Sequence, residues 1–191
     1  WATNNDRDFL GDDQPPDRVN ILREGRDYGW PRCNLPDVRN PEYPDADCSR
    51  IEAPAITFQA HSAPLGIAFY TGTQFPAEYR GDAFVAYHGS WNRIVPTGYK
   101  VVQVNVGSGR PESIRDFITG FMPAGGGPAW SRPVDLLVLP DGSLLVSDDF
   151  GGRASFPSDN WWNQDVSQAP LDPQSSAFID FIGRTRTLHP D

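Results

Sequence analysis

Apolar positions along this chain come in short runs bounded by turns, and most runs alternate with polar residues. Residues 18–23, Arg-Val-Asn-Ile-Leu-Arg, show the period of two that predicts a half-buried strand. Further strands are expected over 55–58, 66–70, 82–87, 99–106 and 113–118. Residues 134–139 and 143–148 form a final pair, joined through Pro140-Asp141-Gly142. That junction reads as a hairpin turn, because Gly142 takes a positive φ without steric cost. Helix signals are weak until the tail. There, residues 175–183 allow one or two helical turns, with Phe178, Phe181 and Ile182 on one face and Gly183 as the cap.

The strands have an order. Four of them run from 66 to 118 before a new leading strand begins at Val134, with the extra length in loops. Four-stranded antiparallel units in series are the pattern of β-propeller blades. The segment before Gly66 fits the later strands of one blade, and the segment after Val134 fits the first two of another. The predicted fold is therefore all-β, a partial β-propeller of about two and a half four-stranded blades, too short to close a ring of about four to eight. Residues 1–153 form this propeller part. Residues 154–191 do not alternate and are expected to be a linker or the start of another domain.

Composition supports short strands over a helical bundle. The 191 residues include 18 Gly, 19 Pro and 12% aromatics, and Gly and Pro together far exceed their average share of about 12%. No apolar run approaches the length of a membrane-spanning helix. Trp1 replaces an initiator Met, with no signal-like segment after it, and is expected to be internal to a longer gene product. A formal net charge of −9 argues against nucleic acid or an anionic bilayer as a partner. Of the 16 basic residues only Lys100 is a lysine. Arginine forks suit carboxylates and phosphates, although an arginine bias can equally be compositional.

Cys33 and Cys48 lie in a loop dense in Pro, Asp and Asn, with no zinc-type spacing around them. They are either bridged or two buried thiols. The loop offers little core in which to bury thiols, which favours the bridge and an oxidising compartment.

Four ordered segments then carry a resemblance. The first is Trp1-Ala-Thr-Asn-Asn-Asp-Arg-Asp, followed by Gly11-Asp-Asp, Pro15-Pro-Asp, Asn20-Ile and Asp27-Tyr-Gly-Trp-Pro. The second is Ala63-Pro-Leu-Gly-Ile-Ala-Phe-Tyr-Thr-Gly with Phe75-Pro. The third is Ala86-Tyr-His-Gly-Ser-Trp-Asn-Arg. The fourth is Arg132-Pro-Val-Asp, then Leu139-Pro-Asp-Gly-Ser-Leu-Leu-Val-Ser-Asp-Asp-Phe-Gly-Gly-Arg. Over residues 1–153 this set resembles the C-terminal half of the glucose/sorbosone dehydrogenase family. Those are soluble six-bladed propeller enzymes that use pyrroloquinoline quinone (PQQ) and calcium. From Ala154 the chain departs from the family, which continues into a closing strand.

The resemblance implies particular chemistry. PQQ is a planar ortho-quinone with three carboxylates, so its site needs cations, a flat packing surface and a hard metal. Calcium prefers oxygen ligands, including backbone carbonyls of a tight loop, and polarises the carbonyl that receives hydride. By the family pattern, the metal lies on backbone carbonyls of the loop at Asn5 and Asp6; the plainer reading is a solvated acidic turn. Cofactor contacts fall at Asn92, Arg93 and Arg132. Asn92 stands where better-known members have a lysine, and Val134 stands where they have a second arginine, so two charges are missing. Arg93 either replaces one of them or is a surface arginine of a hairpin. His61 is expected to brace a loop, and His88 either lines the pocket or makes a structural hydrogen bond. The family's catalytic histidine lies in blades outside this chain, so no catalytic residue is assigned.

The implied function is a fragment of a PQQ- and calcium-dependent oxidoreductase that oxidises aldoses or pyranoses by hydride transfer, incomplete in this chain and secreted or periplasmic. Its partners are a sugar, an electron acceptor that the sequence does not name, and the rest of the propeller. The alternatives are a non-catalytic propeller module that binds carbohydrate or protein, favoured slightly by Asn92 and Val134, and a calcium-dependent propeller hydrolase.

Overall fold

A computed structural model describes residues 1–36, 38–124 and 127–149. All of them belong to one compact unit, Trp1–Gly151. The tail, with its expected helical turns, lies outside the described residues.

The described part is all-β apart from one 3-10 turn, Ala77–Tyr79. Its centre is an antiparallel meander of β6 (Pro64–Phe69), β7 (Ala83–Tyr87), β8 (Lys100–Gly107) and β9 (Arg110–Ile118), paired in that order. On one side packs a three-stranded sheet of β1 (Ala2–Asn4), β2 (Arg18–Asn20) and β5 (Ile56–Thr57). On the other packs the hairpin of β10 (Pro133–Val138) and β11 (Leu144–Asp148). A small hairpin, β3 (Cys33–Leu35) and β4 (Val38–Arg39), sits within the cysteine loop.

This layering explains why β7 is buried at every position. Alternate residues of a strand face opposite ways. Ala83, Val85 and Tyr87 pack with Val102 and Val104 against Val19 and Phe58 of the three-stranded side. Phe84 and Ala86 pack with Val101 and Tyr70 against Leu136 of the β10–β11 hairpin. Tyr70 is fully buried and its hydroxyl donates to the carbonyl of Gly142, tying the turn of that hairpin to the central sheet (2.7 Å). Gly142 has φ 88°, as the turn requires. The edge strand β9 carries Arg110, Glu112, Arg115 and Asp116 on an exposed surface, which discourages edge-to-edge pairing.

The strand expected over 18–23 ends at Asn20, and Leu22 is exposed. β1 and the β3–β4 hairpin have two or three residues each, too few to show a period. Cys33 and Cys48 are bridged, with Cα atoms 5.7 Å apart, and pack with Ile51 and Ala46 into a separate small core.

Candidate functional site

Three loops converge beside the central sheet: the β1–β2 loop, the β5–β6 turn and the β7–β8 connection. Asp17, almost fully buried, joins the first two. One of its oxygens accepts from the backbone N–H of Asp6 (3.0 Å) and the other from that of Ala63 (2.9 Å). The third loop is fastened by backbone bonds from His88 to Ala63 and from Gly89 to Ser62. Behind them Asp6 and Arg18 form an ion pair at 3.1 Å, with both side chains 1% exposed.

Burial dominates the electrostatics of these groups. It raises Asp6 to about 6, against the opposing pull of the Arg18 charge. It raises Asp17 to about 6 despite the backbone N–H groups that favour its charged form. Burial pushes Arg18 below its ordinary value.

In front of this cluster opens a pocket of about 220 Å³ whose walls include Asn5, Asp6, Asp8, His61, Trp91 and Asn92. His61 Nε2 lies 2.8 Å from the carbonyl oxygen of Gly11, so Nε2–H donates there, and Nδ1 lies 3.5 Å from a carboxylate oxygen of Asp8. Asn92 donates through Nδ2 to Asp8 (2.6 Å) and lies 3.4 Å from His61 Nδ1. Its Oδ1 is buried and has no hydrogen-bond partner.

Arg132 stands at the rim. Its Nε donates to the carbonyl of His88 (3.1 Å) and Nη2 to that of Gly89 (2.6 Å). Its guanidinium lies 5.6 Å from the centre of the Tyr99 ring. Asp148 accepts from the Arg132 backbone N–H (3.2 Å) and from the hydroxyl of Ser131.

The structure thus brings Asn5, Asp6 and Asn92 onto one pocket and sets Arg132 on its Gly89 edge. Arg93 is directed elsewhere. Its guanidinium donates to the carbonyls of Asp12 and Ala60 and pairs with Asp13 (3.4 Å), with its side chain only 8% exposed. Val134 lies over β6, where its carbonyl approaches Gly66. His61 braces the Gly11 loop and also lines the pocket. His88 bonds Asp149 through Nε2 (2.8 Å) and serves Arg132 through its carbonyl.

Sequence reasoning missed Asp8, Asp17 and Arg18. The run Asp6-Arg-Asp8 and the pair Asp17-Arg18 are charged, and charge in a loop reads by default as solvated surface. Among the described residues, no cluster of three or more His, Cys, Asp or Glu side chains is arranged to hold a metal ion.

Residues 35–153 match the model of the family described as TrAA12-like. An uncharacterised protein of Borreliella burgdorferi is 38% identical over 158 residues, covering 80% of this chain and 41% of that protein. A pyrroloquinoline quinone-dependent pyranose dehydrogenase of Coprinopsis cinerea is 41% identical over 64 residues, covering 33% of this chain and 8% of that enzyme. The calcium structure of Trichoderma reesei carbohydrate-active enzymes family AA12 superposes with a TM-score of 0.58 at 26% identity, covering 73% of this chain and 42% of that one. A crystal structure of a glucose dehydrogenase gives a TM-score of 0.51 at 22% identity, over 74% of this chain and 37% of that one, a likeness of fold alone. The chain therefore spans less than half the length of each of these relatives.

Proposed function

Because the chain belongs to the TrAA12-like family, we propose that it forms part of a PQQ- and calcium-dependent propeller oxidoreductase that oxidises the anomeric carbon of a pyranose. The observation that carries this reading is the convergence of Asn5, Asp6, Asp8, His61 and residues 89–92 on one pocket, with Arg132 at its edge. Residues 1–153 supply part of the propeller, and the disulfide fits a secreted or periplasmic setting.

The residues present fit a hard cation. The Asn92 Oδ1 is a buried acceptor without a donor, a costly state that a cation relieves. The Asp6 carboxylate is engaged by Arg18, which leaves the carbonyls of Asn5 and Asp6, with the Asp8 carboxylate beside them on the pocket wall, as this loop's ligands. Fit to the tricarboxylate rests on Arg132 and Asn92. Arg132 is pre-set by two carbonyls and an aromatic face, and its Nη1 has no partner among the described residues. Arg93 acts one step back, strapping the Asp12–Asp13 turn to the β7–β8 connection.

When bound, the quinone supplies the hydride acceptor and calcium polarises it. The chain's own contribution is positional. Asp17 fixes the two loops that wall the pocket, and the Asp6–Arg18 pair holds the β1–β2 loop from behind. The Arg132 fork faces a carboxylate with little reorganisation.

The test is titration of PQQ with calcium into the intact protein, read by absorbance and tryptophan fluorescence. A charge-assisted contact worth about 1.5–3 kcal/mol makes Arg132→Ala weaken binding by roughly 10- to 150-fold. Arg115→Ala, on the exposed edge strand β9, leaves binding unchanged. Equal titration curves for the two variants remove Arg132 from the site. No quinone uptake by the wild type refutes the oxidoreductase reading.

A further inference from the structure

The loop that follows β1 sends three successive side chains three ways. Asp6 pairs with Arg18, Asp8 accepts from Asn92 on the pocket wall, and Arg7 reaches away to the cysteine loop. There Arg7 Nη1 donates to Asn40 Oδ1 (3.3 Å) and pairs with Glu42, groups 33 and 35 positions away in sequence. Arg7 Nε donates to the carbonyl of Asp8 (3.3 Å). One guanidinium therefore grips the pocket loop and the cysteine loop together.

The far end of this strut is fixed. Asn40 is 1% exposed, and its Oδ1 also accepts from Asn34 Nδ2 (2.9 Å). Its Nδ2 donates to the carbonyl of Pro31, and its backbone N–H to that of Arg32 (2.9 Å). Asn34 is fully buried in β3, Asn40 follows β4, and the Cys33–Cys48 bridge pins the start of that hairpin. A buried polar network bonded in this way is rigid. Charge alone gives Arg7 no purpose at this place, because a guanidinium beside a cation site repels the cation. What Arg7 offers that a shorter or neutral side chain does not is a planar fork, which meets Asp8, Asn40 and Glu42 at once.

We infer that Arg7 is a positioning residue of the pocket, which transfers the rigidity of the cysteine loop to the Asn5 and Asp6 carbonyls and the Asp8 carboxylate and so tightens their hold on a divalent cation. The inference rests on the reading of this pocket as a calcium site. It gives the disulfide hairpin a task at the site besides stabilising the fold. Groups that hold metal ligands in place typically change metal affinity by about 10- to 100-fold.

The experiment uses the intact protein without PQQ. Calcium is titrated against bound terbium, whose luminescence Trp91 on the pocket wall sensitises; the part of the signal lost in Trp91→Phe reports this pocket. Arg7→Gln removes a positive charge, so electrostatics alone tightens calcium binding, whereas loss of the strut weakens it. Arg7→Lys keeps the charge and removes the fork, which isolates the geometry. Both variants weaken calcium binding by roughly tenfold or more. Arg23→Gln, which breaks an exposed ion pair with Glu52, leaves it unchanged. Asn40→Ala weakens binding in the wild type and adds nothing in the Arg7→Gln background, because the two residues act in series. Thermal midpoints are read alongside. A lowered midpoint at unchanged affinity in both Arg7 variants, tighter binding by Arg7→Gln, or additive effects of Asn40→Ala and Arg7→Gln overturns the inference. Wild-type protein that binds calcium in the pocket while both Arg7 variants match it sinks the inference alone. Wild-type protein that binds no calcium there refutes the calcium reading, and the inference falls with it.

Discussion

The rim of the pocket depends on one glycine. Gly89 has φ 97°, and a Cβ placed on it would meet three Tyr99 ring atoms at 2.6, 2.6 and 2.7 Å. Ordinary carbon contacts are about 3.5–4.0 Å, so the ring must retreat by about 1 Å. It has little freedom to do so, because the Tyr99 hydroxyl donates to the Ser90 carbonyl and the Arg132 guanidinium lies over the ring. Gly89→Ala therefore adds two costs. The left-handed backbone costs about 1–2 kcal/mol, and overpacking against a fixed neighbour costs about 1–3 kcal/mol. Gly109→Ala is the control. That glycine sits in the β8–β9 turn with φ 74° and nothing within 4 Å of its Cβ position, so only the backbone cost applies. Urea unfolding with matched m-values should show Gly89→Ala losing about 1–3 kcal/mol more than Gly109→Ala. Since the displaced ring carries Arg132, Gly89→Ala should also weaken PQQ uptake while Gly109→Ala does not. Equal destabilisation of the two, within about 0.5 kcal/mol, would refute the claim that Tyr99 is held fast.

Asp17 should make stability fall as pH rises between about 4 and about 6, because there the folded carboxyl keeps a proton that the unfolded chain has released. The raised value corresponds to at most about 3 kcal/mol. Asp17→Asn removes its share of that slope, leaving the share of Asp6, which burial likewise raises to about 6, and adds a pH-independent loss, since one backbone N–H then faces an amide N–H; unfolding profiles that stay parallel across the window would count against the assignment. Reduction of the Cys33–Cys48 bridge, which spans a sequence separation of 15, should cost about 3 kcal/mol of unfolding free energy. A thermal scan with and without reductant reads that loss, and an unchanged midpoint would show that the loop adds nothing to global stability.

The strands were legible where a turn bounded an alternating or fully apolar run. The segment over 82–87 and the pair over 134–148 are of this kind, and β7, β10 and β11 fall there. The buried polar layer was not legible. In β2 the polar partners of Val19 are Arg18 and Asn20, and alternation assigns such residues to water. Instead Arg18 is 1% and Asn20 5% exposed, and Arg18 is buried against the carboxylate of Asp6. Period alone cannot tell a solvated face from a paired one, since both place polar side chains at every second position. Arg93 illustrates the same limit at the site. Its place in the sequence, next to Asn92, set it beside the pocket, but direction is decided by what it can reach. The carbonyls of Asp12 and Ala60 lie behind the wall, and the fork closes on them.

That direction has a consequence for cofactor recognition. Under the proposed reading three carboxylates need counter-charges, and the pocket itself is lined by Asp6 and Asp8 rather than by cations. A cation on the loop carbonyls would offset the acidic wall without neutralising the cofactor. Of the two arginines assigned to the cofactor, one is spent on strapping the Asp12–Asp13 turn and the other presents a single free edge at the rim. One fork can pair one carboxylate bidentately. The remaining charge must then be met by water, by dipoles, or by residues from the part of the relatives that this chain does not span, 58% of the Trichoderma reesei structure by the 42% covered. A site with so few cations favours shape and flat packing over charge in holding a planar ligand. Its affinity should therefore respond weakly to ionic strength, because a lone, half-buried pair is screened far less than an exposed cluster of charges.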